Sequence, residues 1–193
     1  FAVLLAEELF ASGCELLISI TSAGQILPSD DLPMFLLIES ALRDEGTSYH
    51  YLPPSDYACI SSDLLVILEG AFAGLPVPVR RGSAWTTDAP FRETEAAIER
   101  ARSEGIQAVE MESAALYSFA AARHKPVICF AYITNRMGMG ADDFEKGEDN
   151  GSRNMLELLS ATARAWFRAE PQGIPQQGIP IKLRKNMNSL NTQ

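Results

Sequence analysis

The sequence is poor in the residues that hold metals and disulfides. Among its 193 residues are three cysteines, Cys14, Cys59 and Cys129, and two histidines, His50 and His124. The cysteines are odd in number, far apart and never spaced as C-x-x-C, which argues against a disulfide framework and against a Cys/His zinc site. They read as reduced, mostly buried thiols of a cytoplasmic protein. No apolar run approaches the roughly 20 residues that a membrane-spanning helix needs, so no membrane partner is expected. Phe1–Leu5 is apolar, but Glu7 and Glu8 interrupt it and no basic stretch precedes it, so no secretory leader is read there. Basic residues are scarce too: 16 Lys and Arg stand against 25 Asp and Glu, a net charge of −9. All 25 acids and 13 of the bases lie in residues 1–170. Nothing this acidic attracts a nucleic acid by charge, although a small anion can still bind where local donors outweigh the global field. No G-x-G-x-x-G follows any apolar run, which removes the dinucleotide-binding fingerprint.

What is present is a balanced globular composition, 47% hydrophobic and 21% charged, at a length suited to one domain. Residues 1–12 read as a helix stopped by Gly13. An apolar strand over 15–21 leads into a small-residue turn, Ser22–Gln25. Residues 34–43 are apolar and ambiguous between strand and helix, and 44–57 look like loop. A helix is expected over 63–74, a strand running into a loop over 77–87, and an amphipathic helix over 93–105. Then come a strand at 106–111, a helix at 112–124, a buried strand at 126–133, a polar loop at 140–151 and a closing helix at 153–169. Helices alternate with strands that are apolar throughout. This predicts one α/β domain over 1–170, with a central mixed, largely parallel twisted sheet flanked by helices on both faces. Residues 171–193 repeat Gln-Gly-Ile-Pro and have no core-forming pattern, so they read as a disordered or adventitious tail.

Ligands in such sheets bind beyond the carboxyl ends of strands. Four strand ends carry suitable chemistry. Thr21-Ser22-Ala23-Gly24 offers a hydroxyl and close backbone approach, or is simply a turn. Trp85–Thr94 holds Thr86, Thr87, Asp88, Phe91 and Arg92; Phe91 and Arg92 suit a planar ring, whereas Asp88 or Thr94 suits a helix cap. Glu110-Met111-Glu112 places two carboxylates around a methionine at a strand-to-helix junction. The helix dipole accounts for one of them. A carboxylate accepting two parallel hydrogen bonds fits the vicinal diol of a ribose, with methionine against the sugar face. Thr134-Asn135-Arg136 pairs an amide, which matches a nucleobase edge, with a cation able to ease a leaving group, or else it ends the strand in solvent.

Val-Glu-Met-Glu followed about twenty residues later by Ile-Thr-Asn-Arg, with Ser-Ala-Gly after an early strand and Thr-Thr-Asp before Phe91, resembles the nucleoside phosphorylase-I family. That family includes purine nucleoside phosphorylases, uridine phosphorylases and the methylthioadenosine/S-adenosylhomocysteine nucleosidases. The resemblance covers about residues 1–170. It implies that Ser22, with Gly24, contacts phosphate and sugar, that Met111 and Glu112 bind ribose, and that Glu110 lies near base or sugar. Phe91 resembles the family's aromatic residue near the base, which Arg92 beside it could contact. Asn135 and Arg136 are the implied catalytic pair; Asn135, where other members carry Asp, is similar to the uridine phosphorylases and to the trimeric purine enzymes, and Arg136 resembles the uridine branch. The implied reaction is phosphorolysis of a nucleoside, uridine-type preferred, with inorganic phosphate as co-substrate and no cofactor or metal. The alternatives are a nucleosidase or a non-catalytic nucleoside-binding domain. A homo-oligomer, dimer or hexamer, is implied, with a neighbouring subunit completing the site. Two departures stand out. Ser19 occupies the place where phosphate-using members carry Arg, and the glycine-rich phosphate loop that precedes the first helix in the family is not in this sequence.

Overall fold

The computed structural model describes residues 1–29, 31–134 and 151–169. The chain opens with α1, Ala2–Ala11, which turns Val3, Ala6 and Phe10 inward at helical spacing. Gly13 follows its C-cap at φ 99°, a left-handed conformation that ends the helix without a Cβ penalty. Strand β1, Leu17–Ser22, is separated by one residue from the two-residue strand β2, Gly24–Gln25. The remaining strands are β3 (Met34–Asp44), β4 (Tyr57–Cys59), β5 (Val79–Thr87), β6 (Ala108–Glu110) and β7 (Val127–Ile133). The other helices are α2 (Ser62–Ile67), α3 (Glu95–Ser103), α4 (Ser113–Arg123) and α5 (Ser152–Ala169).

The strands form one seven-stranded mixed sheet in the order β1-β7-β3-β5-β6-β2, with β4 pairing to β3 outside that path. The pairs β1–β7, β3–β5 and β5–β6 are parallel; β3–β7, β3–β4 and β2–β6 are antiparallel. The longest pairing, β3 with β5, is parallel, as the apolar strand composition predicts. The two ends of the path, Ser22 and Gly24, are adjacent to the same residue, Ala23. The sheet therefore curls until its first and last strands meet. Ala23 extends the β1–β7 ladder by donating its N–H to the Tyr132 carbonyl at 3.2 Å.

Helices cover both faces. The larger core joins α1, α2, α4 and α5 to β3 and β7, and every residue of β7 is buried. Its filling includes Phe35, Phe119 and Phe130, all fully buried and each worth about 1.5–3 kcal/mol in transfer free energy. A smaller cluster, Ile26, Trp85, Ala101, Ile106 and Val109, lies under α3.

Several elements depart from sequence expectation. The 34–43 ambiguity resolves as a strand because β3 runs between β5 and, over Met34–Leu37, β7. The turn expected at 22–25 contains β2, and β4 starts at Tyr57, the last residue read as loop, and runs to Cys59; both are recruited by pairing to another strand. Helix α2 ends at Ile67 and continues only as turns, because Gly70 adopts φ 70°, which an α-helix cannot carry.

Candidate functional site

Three parallel strands end side by side. Arg43 of β3 lies opposite Thr86 of β5, and Thr86 lies opposite Glu110 of β6. Gly24 of β2 pairs antiparallel with Val109, so closure of the sheet delivers Ser22, two residues earlier, to the rim where β6 ends. Ser22 is exposed there, and Gly24 is partly buried in the ladder.

The two glutamates of the Glu-Met-Glu segment have different surroundings. Glu110 is buried, with 3% exposure, and faces inward. Its Oε1 accepts a short hydrogen bond from Thr86 Oγ1. Its Oε2 accepts from the Glu112 and Ser113 backbone N–H groups, both at 2.8 Å, and from Ser113 Oγ at 2.9 Å. Burial pushes this carboxyl above the ordinary carboxylate value, and those hydrogen bonds pull it part of the way back. Glu110, which the resemblance implies lies near base or sugar, turns both oxygens to protein donors. Glu112 is the N-cap residue of α4 and is half-buried. Its side chain caps no helical N–H and, among the described residues, makes one long contact, accepting from Met111 N–H at 3.3 Å. Met111 beside it is 47% exposed.

Phe91 and Arg92 sit in a short 3-10 turn, Pro90–Arg92. Phe91 is fully exposed and Arg92 is exposed, so the protein itself covers neither face of the ring. The capping question beside them has a definite answer: Thr94 Oγ1 accepts from Ala97 N–H and caps α3, whereas Asp88 accepts from Gly46 N–H. Strand β7 ends at Ile133; Asn135 and Arg136, two and three residues further on, lie outside the described residues.

The structure adds side chains that sequence reasoning passed over. Arg43 is 4% exposed. It donates to Ser48 Oγ at 2.9 Å, to the Pro53 carbonyl at 2.7 Å and to Ser55 Oγ at 2.7 Å, and lies 4.2 Å from the Tyr49 ring centre. Glu45, also buried, accepts from the Thr47 and Ser48 N–H groups. The signal was an arginine and two acids at the end of an apolar run, Ala41-Leu42-Arg43-Asp44-Glu45, where a solvated loop would give no reason for a buried cation. Among the described residues no group of three or more His, Cys, Asp or Glu side chains is arranged to hold a metal ion, and no helix is long and apolar enough to cross a membrane.

The sequence profile of the phosphorylase superfamily matches residues 1–164. The chain belongs to the phosphorylase superfamily. As a superfamily member it is an enzyme of the pentosyl-transferring type, on the scaffold shared by nucleoside phosphorylases and nucleosidases. It is 27% identical over 170 residues to a guanosine phosphorylase of Halorubrum lacusprofundi, a span covering 83% of this chain and 70% of that protein. Its fold superposes on the AMP nucleosidase of Bacteroides thetaiotaomicron with a TM-score of 0.69 at 22% identity, covering 89% of this chain and 70% of that one. It also superposes on the P. knowlesi homologue of P. falciparum PNP with a TM-score of 0.69 at 19% identity, covering 83% and 66%.

Proposed function

We propose that the protein cleaves the N-glycosidic bond of a nucleoside with inorganic phosphate, releasing free base and ribose-1-phosphate. The observation that carries this reading is the Glu112 carboxylate. It stands at a strand end, half-buried, and among the described residues it makes one long contact, while its neighbour Glu110 takes the backbone donors. A carboxylate so placed accepts the 2′- and 3′-hydroxyls of a ribose side by side, and its charge favours the oxocarbenium character that develops as the C1′–N bond loosens. Met111 packs on the sugar. The electron pair of the breaking bond leaves with the base. A phosphate oxygen, oriented by Ser22 and the Gly24 turn, forms the new C1′–O bond.

Asn135 and Arg136 serve the base. An amide presenting donor and acceptor together matches the lactam edge common to uracil and guanine, and a guanidinium lowers the energy of a departing base anion. Arg136 after Asn135 favours uridine; the name of the haloarchaeal relative favours guanosine. Phe91, whose ring is fully exposed, offers a face for stacking on the base, with Arg92 beside it. No metal or organic cofactor is needed. In this reading residues 1–170 form the catalytic domain of a cytoplasmic homo-oligomer, and 171–193 take no part in the site.

Hydrolysis is the second reading. Ser19, half-buried in β1, puts a hydroxyl where phosphate-using relatives are expected to carry a guanidinium. The deciding experiment measures base release from uridine, guanosine, inosine and adenosine, with and without phosphate. Release that needs phosphate, and favours uridine or a 6-oxopurine nucleoside over adenosine, is the expected result. Release at equal rate without phosphate replaces phosphorolysis by hydrolysis, and calorimetric binding without any turnover removes catalysis altogether.

A further inference from the structure

A buried carboxylate costs several kcal/mol unless its oxygens are fully paired, so the inward turn of Glu110 needs a purpose. We propose that Thr86 and Glu110 are a positioning pair for the reaction: acting through the first turn of α4, they hold the Glu112 carboxylate where it meets the ribose hydroxyls. The inference rests on Glu112 being the sugar ligand.

The first N–H groups of a helix have no partner within it, and the N-cap side chain commonly supplies one. In α4 the N-cap residue is Glu112, yet its side chain caps nothing. The donors are satisfied from behind. Glu110 Oε2 takes the N–H groups of Glu112 and Ser113, and Thr86 Oγ1 takes that of Ala114 at 3.0 Å. Three consecutive N–H groups are thus held by two side chains that also bond to each other. Thr86 and Glu110 are register partners on adjacent parallel strands, and both are buried. The clamp is therefore built on the sheet rather than on a loop.

Two consequences follow from this geometry. Capping by Thr86 and Glu110 releases the Glu112 carboxylate from the task that its position would otherwise give it. The N–H groups of Glu112, Ser113 and Ala114 are also occupied, so these three do not hold the phosphate, which this reading gives to the Ser22 turn. A small displacement of a substrate-gripping group is expensive, on the order of a hundredfold for about 1 Å. A clamp one bond away from Glu112 is where such a displacement would originate.

The test compares a ribonucleoside that the wild-type protein turns over with its 2′-deoxy counterpart. It follows kcat, both KM values and thermal stability in Thr86→Val, Thr86→Ser and Glu112→Ala. Thr86→Val keeps the side-chain shape and removes both hydrogen bonds. The expected result is a loss of ribose preference in kcat/KM of about tenfold or more. The KM for phosphate should stay unchanged, and Thr86→Ser should restore most of the preference. Should Thr86→Val fail to fold, Glu110→Gln carries the same measurement, because it keeps the shape but sets an NH2 group against Thr86. A Thr86→Val or Glu110→Gln protein that melts lower yet keeps the wild-type preference, while Glu112→Ala loses it, overturns the positioning pair and leaves the sugar assignment standing. If Glu112→Ala itself keeps wild-type turnover and preference, the sugar assignment fails first.

Discussion

Glu110 and Glu112 are the same residue type two positions apart, and their surroundings assign them opposite tasks. One is sealed under four protein donors; the other stands half-buried and, among the described residues, accepts one long hydrogen bond. The difference has a thermodynamic signature. Burial raises the Glu110 carboxyl above its ordinary value, with its hydrogen bonds opposing the shift only in part. A carboxyl raised on folding binds its proton more tightly folded than unfolded. Its contribution to stability is then fully present below the ordinary carboxylate pKa and is lost as pH rises through the folded value. Glu110→Gln removes this dependence. The unfolding free energy of the wild type minus that of Glu110→Gln should therefore fall as pH is raised from about 4.3 and then level off. Urea unfolding at a series of pH values measures it, and a difference that rises with pH contradicts the burial argument.

Helix α4 shows how much of an element is local. Its start was legible because a carboxylate-rich junction precedes an alanine-rich run, and its end because the run stops at Arg123-His124. The stop is imperfect. His124 occupies the C-cap in the left-handed region at φ 53°, the one positive-φ residue other than glycine among those described. His124 is exposed, so replacing it by glycine removes steric strain and touches little else. Relief of about 1–2 kcal/mol is offset by about 0.5–1 kcal/mol of added chain entropy in the unfolded state. His124→Gly should thus gain about 0.5 kcal/mol and raise Tm by about 1–2 °C in a scanning calorimeter; a lowered Tm would mean that the imidazole does more than end the helix. Elements with strong local signals are legible: α1, α3, whose cap the sequence leaves between Asp88 and Thr94, and the all-apolar β7. Elements without them were not. Tyr57–Cys59 becomes β4 only because β3, beyond Leu37, has lost β7 as a neighbour.

At the scale of the whole molecule, that parting of β3 and β7 is the weak place in the curled sheet, and Tyr117 fills it. The register of β3 slips between Ile38 and Ser40, leaving the Ile38 carbonyl at the irregularity. Cys129 lies one residue beyond the last β7–β3 pair. The buried Tyr117 hydroxyl of α4 donates to the Ile38 carbonyl and accepts from Cys129 N–H at 3.1 Å. One oxygen thereby ties a helix to both diverging strands. Tyr117→Phe keeps the ring and strands both backbone groups, which should cost about 1–3 kcal/mol. The urea midpoint should fall with an unchanged slope, because the surface exposed on unfolding is the same. An unshifted midpoint would show that the strands rearrange to pair without the hydroxyl.

By itself the sequence determined the alternation of helices and strands, the apolar composition of the sheet, and the chemistry available at the strand ends: a hydroxyl turn, a Thr-Thr-Asp run, a Glu-Met-Glu junction and an Asn-Arg pair. Each rests on composition, capping or periodicity within a dozen residues, and such interactions are formed by neighbours in the chain. Tertiary structure alone decided that β1 and β2 close the sheet, that Thr86 lies against Glu110, that Arg43 is caged, and that of two glutamates one is buried under protein donors and the other caps no helical N–H. Those outcomes depend on the register between segments tens of residues apart. A shift of one residue would turn each side chain to the opposite face, and no short-range pattern records which register wins.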